Sequence, residues 1–227
     1  MSELFSIQLQ NRQQQGGDGV WLGLPTTTEQ VQAALRQIGI SSDNPQGLFI
    51  SGYFAEEEKR FAIPYNMVLA SNVDELNFLA SRLETLSAGE RAELNAALQA
   101  PQSELSSIGR ITDFPENVDY YVHLPDVRGP AQLGDYYLNR SGMVDMPEEW
   151  KGGIDTAQFG RYVAQQEQGV FTEYGYLVKS GDAWQKVHEG QPVPEEYRVL
   201  SFPAPEVLRD SANIPPPVQP ETEPQKV

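Results

Sequence analysis

The chain has 227 residues and no cysteine, and its 32 Asp and Glu residues outnumber 16 Lys and Arg residues, which gives a formal net charge of −16 at pH 7. The lack of cysteine excludes disulfides, thiolate nucleophiles and cysteine-ligated zinc sites. The acidity disfavours direct nucleic-acid binding, which depends on Lys and Arg contacts to phosphates, and it is typical either of a protein with a basic partner or simply of a highly soluble one.

Residues 1–70 mix strand and helix patterns, which predicts a small α+β unit. The predicted strands are short runs of apolar and aromatic residues, and they cover residues 4–10, 20–24, 48–54 and 61–63. A helix is expected to open at Thr26, where Glu29 completes a capping box three residues later. Its apolar face recurs at helical spacing and consists of Val31, Ala34, Leu35 and Ile38.

Residues 71–115 carry helical periodicity throughout, which predicts a helical unit. Ser71 or Asn72 is expected to cap the first helix, and Ser87 with Glu90 forms a capping box for the second. A short third helix is predicted over residues 103–109. The buried faces of the first two helices are predicted to contain Val73, Leu76, Leu79, Ala80, Leu83, Leu94, Ala97 and Leu98. Because a unit of this length is too small to form a hydrophobic core of its own, we expect it to pack on its neighbours.

Residues 116–190 return to an α+β pattern. Strands are predicted over residues 119–124 and 184–187, and a helix over 130–140. Within this unit, residues 154–177 are the most informative segment of the chain. Asp155 is expected to cap a helix with Gln158 three residues on, Gly169 is expected to end that helix with a positive φ, and an aromatic strand over residues 170–179 follows.

Residues 191–227 form a Pro-rich tail without apolar periodicity, which predicts an extended or disordered segment. The three preceding units and this tail are the domain division that we predict. The absence of a secretory leader and of an apolar run of about 20 residues predicts a cytoplasmic protein that does not enter a membrane.

The sequence contains no convincing catalytic site. His123 and His188 have no Cys partner and no paired-histidine spacing. Adjacent carboxylates are more typical of solvated turns and first helical turns than of metal sites. Neither a Gly-rich phosphate loop nor a Gly-x-Ser-x-Gly motif is present. We therefore predict a protein that is not an enzyme and has no cofactor.

Residues 154–177 closely resemble the signature region of the ArdA antirestriction proteins. The similarity continues upstream in the same order, through Gly-Val-Trp-Leu-Gly-Leu-Pro-Thr-Thr at residues 19–27, the helical residues 71–86, Asp-Tyr-Tyr at 119–121 and Leu-Gly-Asp-Tyr-Tyr-Leu at 133–138. It covers roughly residues 3–190 and leaves the Pro-rich tail outside.

The resemblance implies three small domains (α+β, helical, α+β) strung into an elongated, curved rod, with two chains pairing through the third domain. It also implies that surface carboxylates follow the phosphates of bent B-form DNA and occupy the DNA-binding groove of type I restriction–modification enzymes. The distribution of acid agrees, because the net charge is −3, −4, −6 and −3 over the four successive segments rather than concentrated in a tail.

On this interpretation, two sets of residues form the site. The candidate phosphate-mimicking carboxylates are Glu56, Glu57, Glu58, Asp74, Glu75, Glu84, Glu90, Glu93, Asp113, Glu116, Asp119, Asp126, Asp135, Asp145, Glu148 and Glu149. The candidate homodimer interface, chosen from the aromatic-rich third unit, consists of Tyr136, Tyr137, Tyr174 and Tyr176.

The acid density is modest, since half of the acidic residues are offset by bases. A different target therefore stays open: an acidic inhibitor of the same shape aimed at another basic, nucleic-acid-binding defence complex, such as a CRISPR effector. An enzyme with an unrecognised site is the third and least favoured hypothesis.

Overall fold

A computed structural model describes residues 3–14, 17–41, 47–56, 61–101 and 103–200. Over these ranges the chain has a mixed α+β fold with two three-stranded antiparallel sheets, which confirms the predicted class. The strands are β1 (Phe5–Asn11), β2 (Val20–Leu24), β3 (Leu48–Phe54), β4 (Tyr121–Leu124), β5 (Val170–Thr172) and β6 (Gly175–Lys179). The helices are α1 (Thr28–Gln37), α2 (Tyr65–Leu69), α3 (Val73–Leu83), α4 (Ala88–Gln99), α5 (Ile108–Thr112), α6 (Pro130–Asp135), α7 (Glu148–Lys151) and α8 (Thr156–Glu167).

The first sheet has the strand order β2–β1–β3, and its inner face packs against α1. Helix α1 begins one residue later than predicted, because Thr27 rather than Thr26 is the N-cap and its capping-box partner is Gln30 rather than Glu29. The predicted strand over residues 61–63 is wrong, because these residues belong to none of the strands in the described parts of the chain. Phe61 and Ile63 nevertheless lie in the core.

The helical unit follows the predicted pattern in its first two helices. Asn72 caps α3 through a capping box with Glu75, and Ser87 caps α4 through a capping box with Glu90. The third helix is not where the sequence predicted it: α5 begins after Ser107, whose hydroxyl accepts the N–H of Arg110, and not at residue 103.

The second sheet has the order β4–β6–β5. The predicted long strand over residues 170–179 is a hairpin, because the chain reverses between Thr172 and Gly175 to form β5 and β6. Helix α8 ends at Glu167, and its C-cap residue, Gln168, itself adopts the left-handed conformation with φ of 56°. Gly169 is required for a different reason from the predicted one, since an added Cβ would lie 1.9 Å from the Tyr176 hydroxyl.

Three further elements of the third unit differ from prediction. The first strand is shorter than expected, because a 3₁₀ turn, Val118–Tyr120, precedes β4. The predicted helix over 130–140 is continuous but changes after Asp135 from α6 to a π-helical turn, Tyr136–Arg140. Residues 184–187 form no strand.

Residues 184–200, here named the C-terminal strap, lie against the helical unit. The Asp113 carboxylate accepts the N–H groups of His188 and Glu189 at 2.6 and 3.3 Å. Asp74 Oδ1 accepts those of Val199 and Leu200, both at 2.8 Å. The part of the Pro-rich tail over residues 191–200 therefore has defined contacts, whereas residues 201–227 lie outside the described residues.

The larger hydrophobic cluster draws residues from all three predicted units, from Leu4 in the first to Leu177 in the third and Val199 in the strap. A smaller cluster beneath α6 and α8 contains Leu133 and Tyr176. Two buried asparagines of the helical unit form hydrogen bonds with the first unit: the side chain of Asn77 accepts the N–H of Thr26, and that of Asn95 accepts the N–H of Ala62. The units are thus in contact, and their division into separate domains stays a prediction.

Candidate functional site: the surface carboxylates

Fourteen of the sixteen predicted carboxylates lie in the described parts of the chain, and Glu57 and Glu58 lie outside them. Half of these fourteen are exposed to solvent. They are contributed by all three predicted units and are Glu56, Glu84, Asp119, Asp126, Asp145, Glu148 and Glu149. We refer to these seven as the surface carboxylates.

Two of the other candidates take part in capping boxes at the N-termini of helices α3 and α4. Glu75 accepts the N–H of Asn72 at 3.3 Å, and Glu90 accepts that of Ser87 at 2.6 Å. Hydrogen bonds from the Ser87 hydroxyl and backbone lower the pKa of Glu90, so this group is charged at neutral pH. Both side chains are half-buried. Each already caps a helix, so any contact with a partner would have to be made by the same carboxylate.

Asp113 and Asp74 hold the C-terminal strap. Asp113 is fully buried, so its carboxylate is not available to a partner and leaves the candidate set. Asp74 is half-buried and already accepts two backbone N–H groups. These two carboxylates act inside the fold, as acceptors for backbone groups that no strand or helix satisfies.

Three candidates form ion pairs. Glu116 pairs with Arg82, Asp135 with Arg140 at 3.1 Å, and Glu148 with Lys151 at 2.6 Å. An ion pair of this kind reduces the negative potential that a partner would encounter, although exposed pairs are weak and their carboxylates can exchange partners.

Glu93 is a special case because it is half-buried and faces like charges. Burial, and then the nearby carboxylates of Glu90 and Asp119, raise the pKa of Glu93 to about 8. Its Oε1 has no hydrogen-bond partner in the described structure. Glu93 is therefore largely uncharged at neutral pH and adds little to a negative surface.

Four of the surface carboxylates have no hydrogen-bond or ion-pair partner among the described residues, and these are Asp119, Asp126, Asp145 and Glu149. Three further exposed carboxylates that were not predicted also have no such partner among the described residues, and these are Asp18, Glu195 and Glu196. The flanking Gly residues of Asp18 and the Pro before Glu195 were the available sequence signals, since both indicate turns at the surface.

The predicted interface tyrosines are less exposed than expected. Tyr176 is fully buried, and its hydroxyl donates to Glu167 at 3.0 Å, so it belongs to the core. Tyr137 also donates to Glu167, and burial followed by this carboxylate raises the pKa of both tyrosines. Tyr136 and Tyr174 are half-buried. The large apolar side chains exposed in this unit are instead Val122, Met143, Trp150 and Tyr162, with Val187 in the strap.

Among the described residues, no group of three or more His, Cys, Asp or Glu side chains is arranged to hold a metal ion. None of the helices in the described ranges is long and apolar enough to cross a membrane.

Comparison with known proteins identifies the relationship. A family model described as antirestriction protein (ArdA) matches residues 17–178, whereas no curated individual protein matches the chain. The matched region includes the signature helix α8, all of the hairpin β5–β6 except its last residue, and all seven surface carboxylates. Because this match extends over well more than half of the sequence, the chain belongs to the ArdA family of antirestriction proteins.

Proposed function

We propose that this chain protects DNA from restriction by presenting its surface carboxylates in place of DNA phosphates to the DNA-binding groove of a type I restriction–modification enzyme. Membership of the ArdA family supports the antirestriction role. The observation that supports mimicry of DNA is the presence of exposed carboxylates in all three predicted units. A groove built for DNA is lined with Lys and Arg, which bind carboxylates as they bind phosphates.

The total charge is compatible with a mimic of short duplex DNA. A pair of chains would carry −32, twice the −16 of one chain. Duplex DNA carries one negative charge per ~1.7 Å of helix axis, or about −40 over twenty base pairs. The proposed mimic is thus somewhat less charged than the DNA it would displace, and affinity would come from many weak contacts.

Pairing of two chains through the third unit completes the proposal. Trp150 and Tyr162 are 68% and 60% exposed, and Met143 is 76% exposed. Large aromatic and Met side chains are enriched in the buried centres of protein interfaces. We place these three residues, with the half-buried Tyr136 and Tyr174, in the proposed homodimer interface.

A charge-matched pair of variants tests the mimicry. The surface variant combines Asp119→Asn, Asp126→Asn, Asp145→Asn and Glu149→Gln, which removes four unpaired surface charges. The control variant neutralises Glu206, Asp210, Glu221 and Glu223, which removes the same charge outside the family match. Inhibition of a purified type I enzyme is measured for both.

Exposed charge contacts contribute about 0.2–1 kcal/mol each, so the surface variant should lose about 1–4 kcal/mol of binding free energy. The control variant should inhibit almost as well as the unmodified chain. Equal inhibition by the surface variant and the unmodified chain would contradict the proposal.

A second target class, another nucleic-acid-binding defence complex such as a CRISPR effector, is favoured by one observation. Asp113 is buried and Glu93 is largely uncharged, so the negative surface is weaker than the composition implies. The same two variants assayed against such an effector separate the targets.

A further inference from the structure

The outer face of the first sheet carries two exposed aromatic rings. Trp21 of β2 is 50% exposed and Phe54 of β3 is 58% exposed. Their ring centroids are 6.4 Å apart in an edge-to-face arrangement, although strand β1 lies between their two strands. Two exposed aromatic rings in contact give this face of the sheet a local apolar patch that a partner could cover.

The backbone beneath the rings explains how they meet. Trp21 pairs with Gln8, and Gln8 pairs with Gly52, so these three residues form one row across the sheet. A Cβ added to Gly52 would lie 3.0 Å from Cη2 of Trp21. The indole ring therefore extends across the sheet and lies over the glycine, which holds it in a fixed position close to Phe54.

A hollow adjoins each ring, and Glu3 lines both. The hollow beside Trp21 has a volume of about 470 Å³, and the smaller hollow beside Phe54 has a volume of about 150 Å³. Glu56 lines the second hollow as well. No Lys or Arg is among the described residues that line either hollow. Each hollow thus combines an aromatic wall with a carboxylate.

We propose that this face is a docking surface for arginine-bearing segments of a basic protein partner. A guanidinium group can stack on the face of Trp or Phe while it donates hydrogen bonds to a carboxylate. The negative charge of the chain and of these hollows is complementary to such a partner. The inference rests on the proposed function, because the groove of a DNA-handling enzyme is a surface of this chemistry.

This docking surface would add a contact that phosphates do not make. Carboxylates alone reproduce the charge of DNA, and their contribution weakens with salt. Burial of Trp21 and Phe54 against the aliphatic and guanidinium parts of arginine is much less sensitive to salt. The partner would then prefer the inhibitor to DNA of equal charge.

The test uses the full-length chain, labelled with ¹⁵N, and acetylated hexa-arginine amide as the probe. The chain has three tryptophans, so the indole N–H signals of Trp21, Trp150 and Trp184 can be followed separately. The Trp21 signal should shift most. An indole signal of Trp21 that shifts no more than the other two would overturn the inference.

Variants provide the second readout in the same titration. Trp21→Ala should weaken peptide binding roughly two- to fivefold, which is the contribution of an exposed cation–π contact, and Trp21→Phe should retain most of the affinity. Tyr65→Ala is the matched control, because Tyr65 is 51% exposed in the same unit and lines neither hollow. Equal affinities for Trp21→Ala and Tyr65→Ala would contradict the inference.

The outcomes separate this inference from the proposed function. Peptide binding at Trp21 in a chain that fails to inhibit the type I enzyme would overturn the proposed function alone. Inhibition without any involvement of Trp21 would overturn the docking surface alone. Concentration-dependent broadening of the Trp21 signal without peptide would assign the face to a second copy of the chain and would also overturn it.

Discussion

Helices α6 and α8 cross at two glycines, and this contact depends on the absence of side chains. A Cβ added to Gly160 would lie 1.8 Å from the carbonyl oxygen of Pro130, and one added to Gly134 would lie 1.9 Å from that of Thr156. Both obstacles are backbone atoms, which cannot rotate away. The signature segment therefore requires glycine at residue 160 for packing, not for an unusual backbone conformation.

We predict that Gly160→Ala destabilises the chain. Alanine in a helix interior is favoured over glycine by about 1 kcal/mol, but overpacking against backbone costs about 1–3 kcal/mol and more when neither helix can shift. We expect a net loss of about 2 kcal/mol, measured by urea denaturation. Gly152→Ala is the control, since nothing lies within 4 Å of the added Cβ; similar midpoints for the two variants would contradict the crossing geometry.

Glu93 makes stability depend on pH. Its pKa is raised from 4.5 to about 8 in the folded chain, so the folded state binds more protons than the unfolded state between these values. The contribution of Glu93 to the free energy of unfolding is therefore most favourable below about pH 4.5, and it decreases as the pH rises to about 8.

The variant Glu93→Gln should abolish this dependence. Above pH 8 it should be more stable than the unmodified chain by about 1–3 kcal/mol, less than the full pKa shift implies, because the group is partly exposed and screened by water. Unfolding free energies measured from pH 5 to 9 check the prediction. Parallel curves for the two proteins would show that Glu93 ionises normally.

At the scale of elements, the sequence predicted those helix and strand boundaries that depend on interactions between residues close in sequence. Strands β2 and β3 begin and end at the expected residues. The start of α1 was displaced by one residue, because three consecutive threonines offer similar caps and a distant contact, from Thr26 N–H to Asn77, selects among them. The hairpin after residue 170 carries no Asn-Gly or Asp-Gly turn signal, so its reversal could not be distinguished from a longer strand.

The role of the candidate carboxylates stays a prediction, and their exposure could be predicted from the sequence only where it follows from turns and helix starts. Asp119, Asp126, Asp145 and Glu149 are exposed as expected. Asp113 is not, because its partners are backbone N–H groups of the strap some 75 residues away in sequence, and no local pattern reveals that long-range need.

The strap depends on buried polar side chains rather than on a sheet. We predict that Asp113→Ala leaves two backbone N–H groups without acceptors and destabilises the chain by about 2–4 kcal/mol. Amide hydrogen exchange should accelerate at His188 and Glu189. Asp182→Ala is the control, since Asp182 is exposed and, within the described parts of the chain, bonds only to Ser180. Unchanged exchange in the Asp113 variant would show that the strap is held by other contacts.

At the scale of the whole molecule, the proposed dimer makes its own prediction. The unmodified chain should sediment as a dimer, and Trp150→Asp combined with Tyr162→Asp should sediment as a monomer, because two charges would be buried without partners in an apolar interface. The control Phe54→Asp changes an aromatic residue of the first unit that is exposed to a similar degree as Tyr162, and it should leave the dimer intact. A monomeric unmodified chain would contradict pairing.

Family membership, charge spread over the sequence and carboxylates exposed in every predicted unit together support the proposal that the chain occupies the site of DNA on a restriction enzyme. If so, the two must exclude each other, and inhibitor binding must respond to salt in the same sense as DNA binding, because both neutralise the same Lys and Arg residues.

Equilibrium competition between the chain and duplex DNA on a purified type I restriction–modification enzyme, repeated at 50, 100 and 200 mM salt, tests this claim most directly. We predict full mutual exclusion and an inhibitor affinity that falls steeply with salt concentration, as DNA affinity does over roughly this range. A ternary complex of enzyme, DNA and inhibitor, or an inhibitor affinity indifferent to salt, would contradict the account.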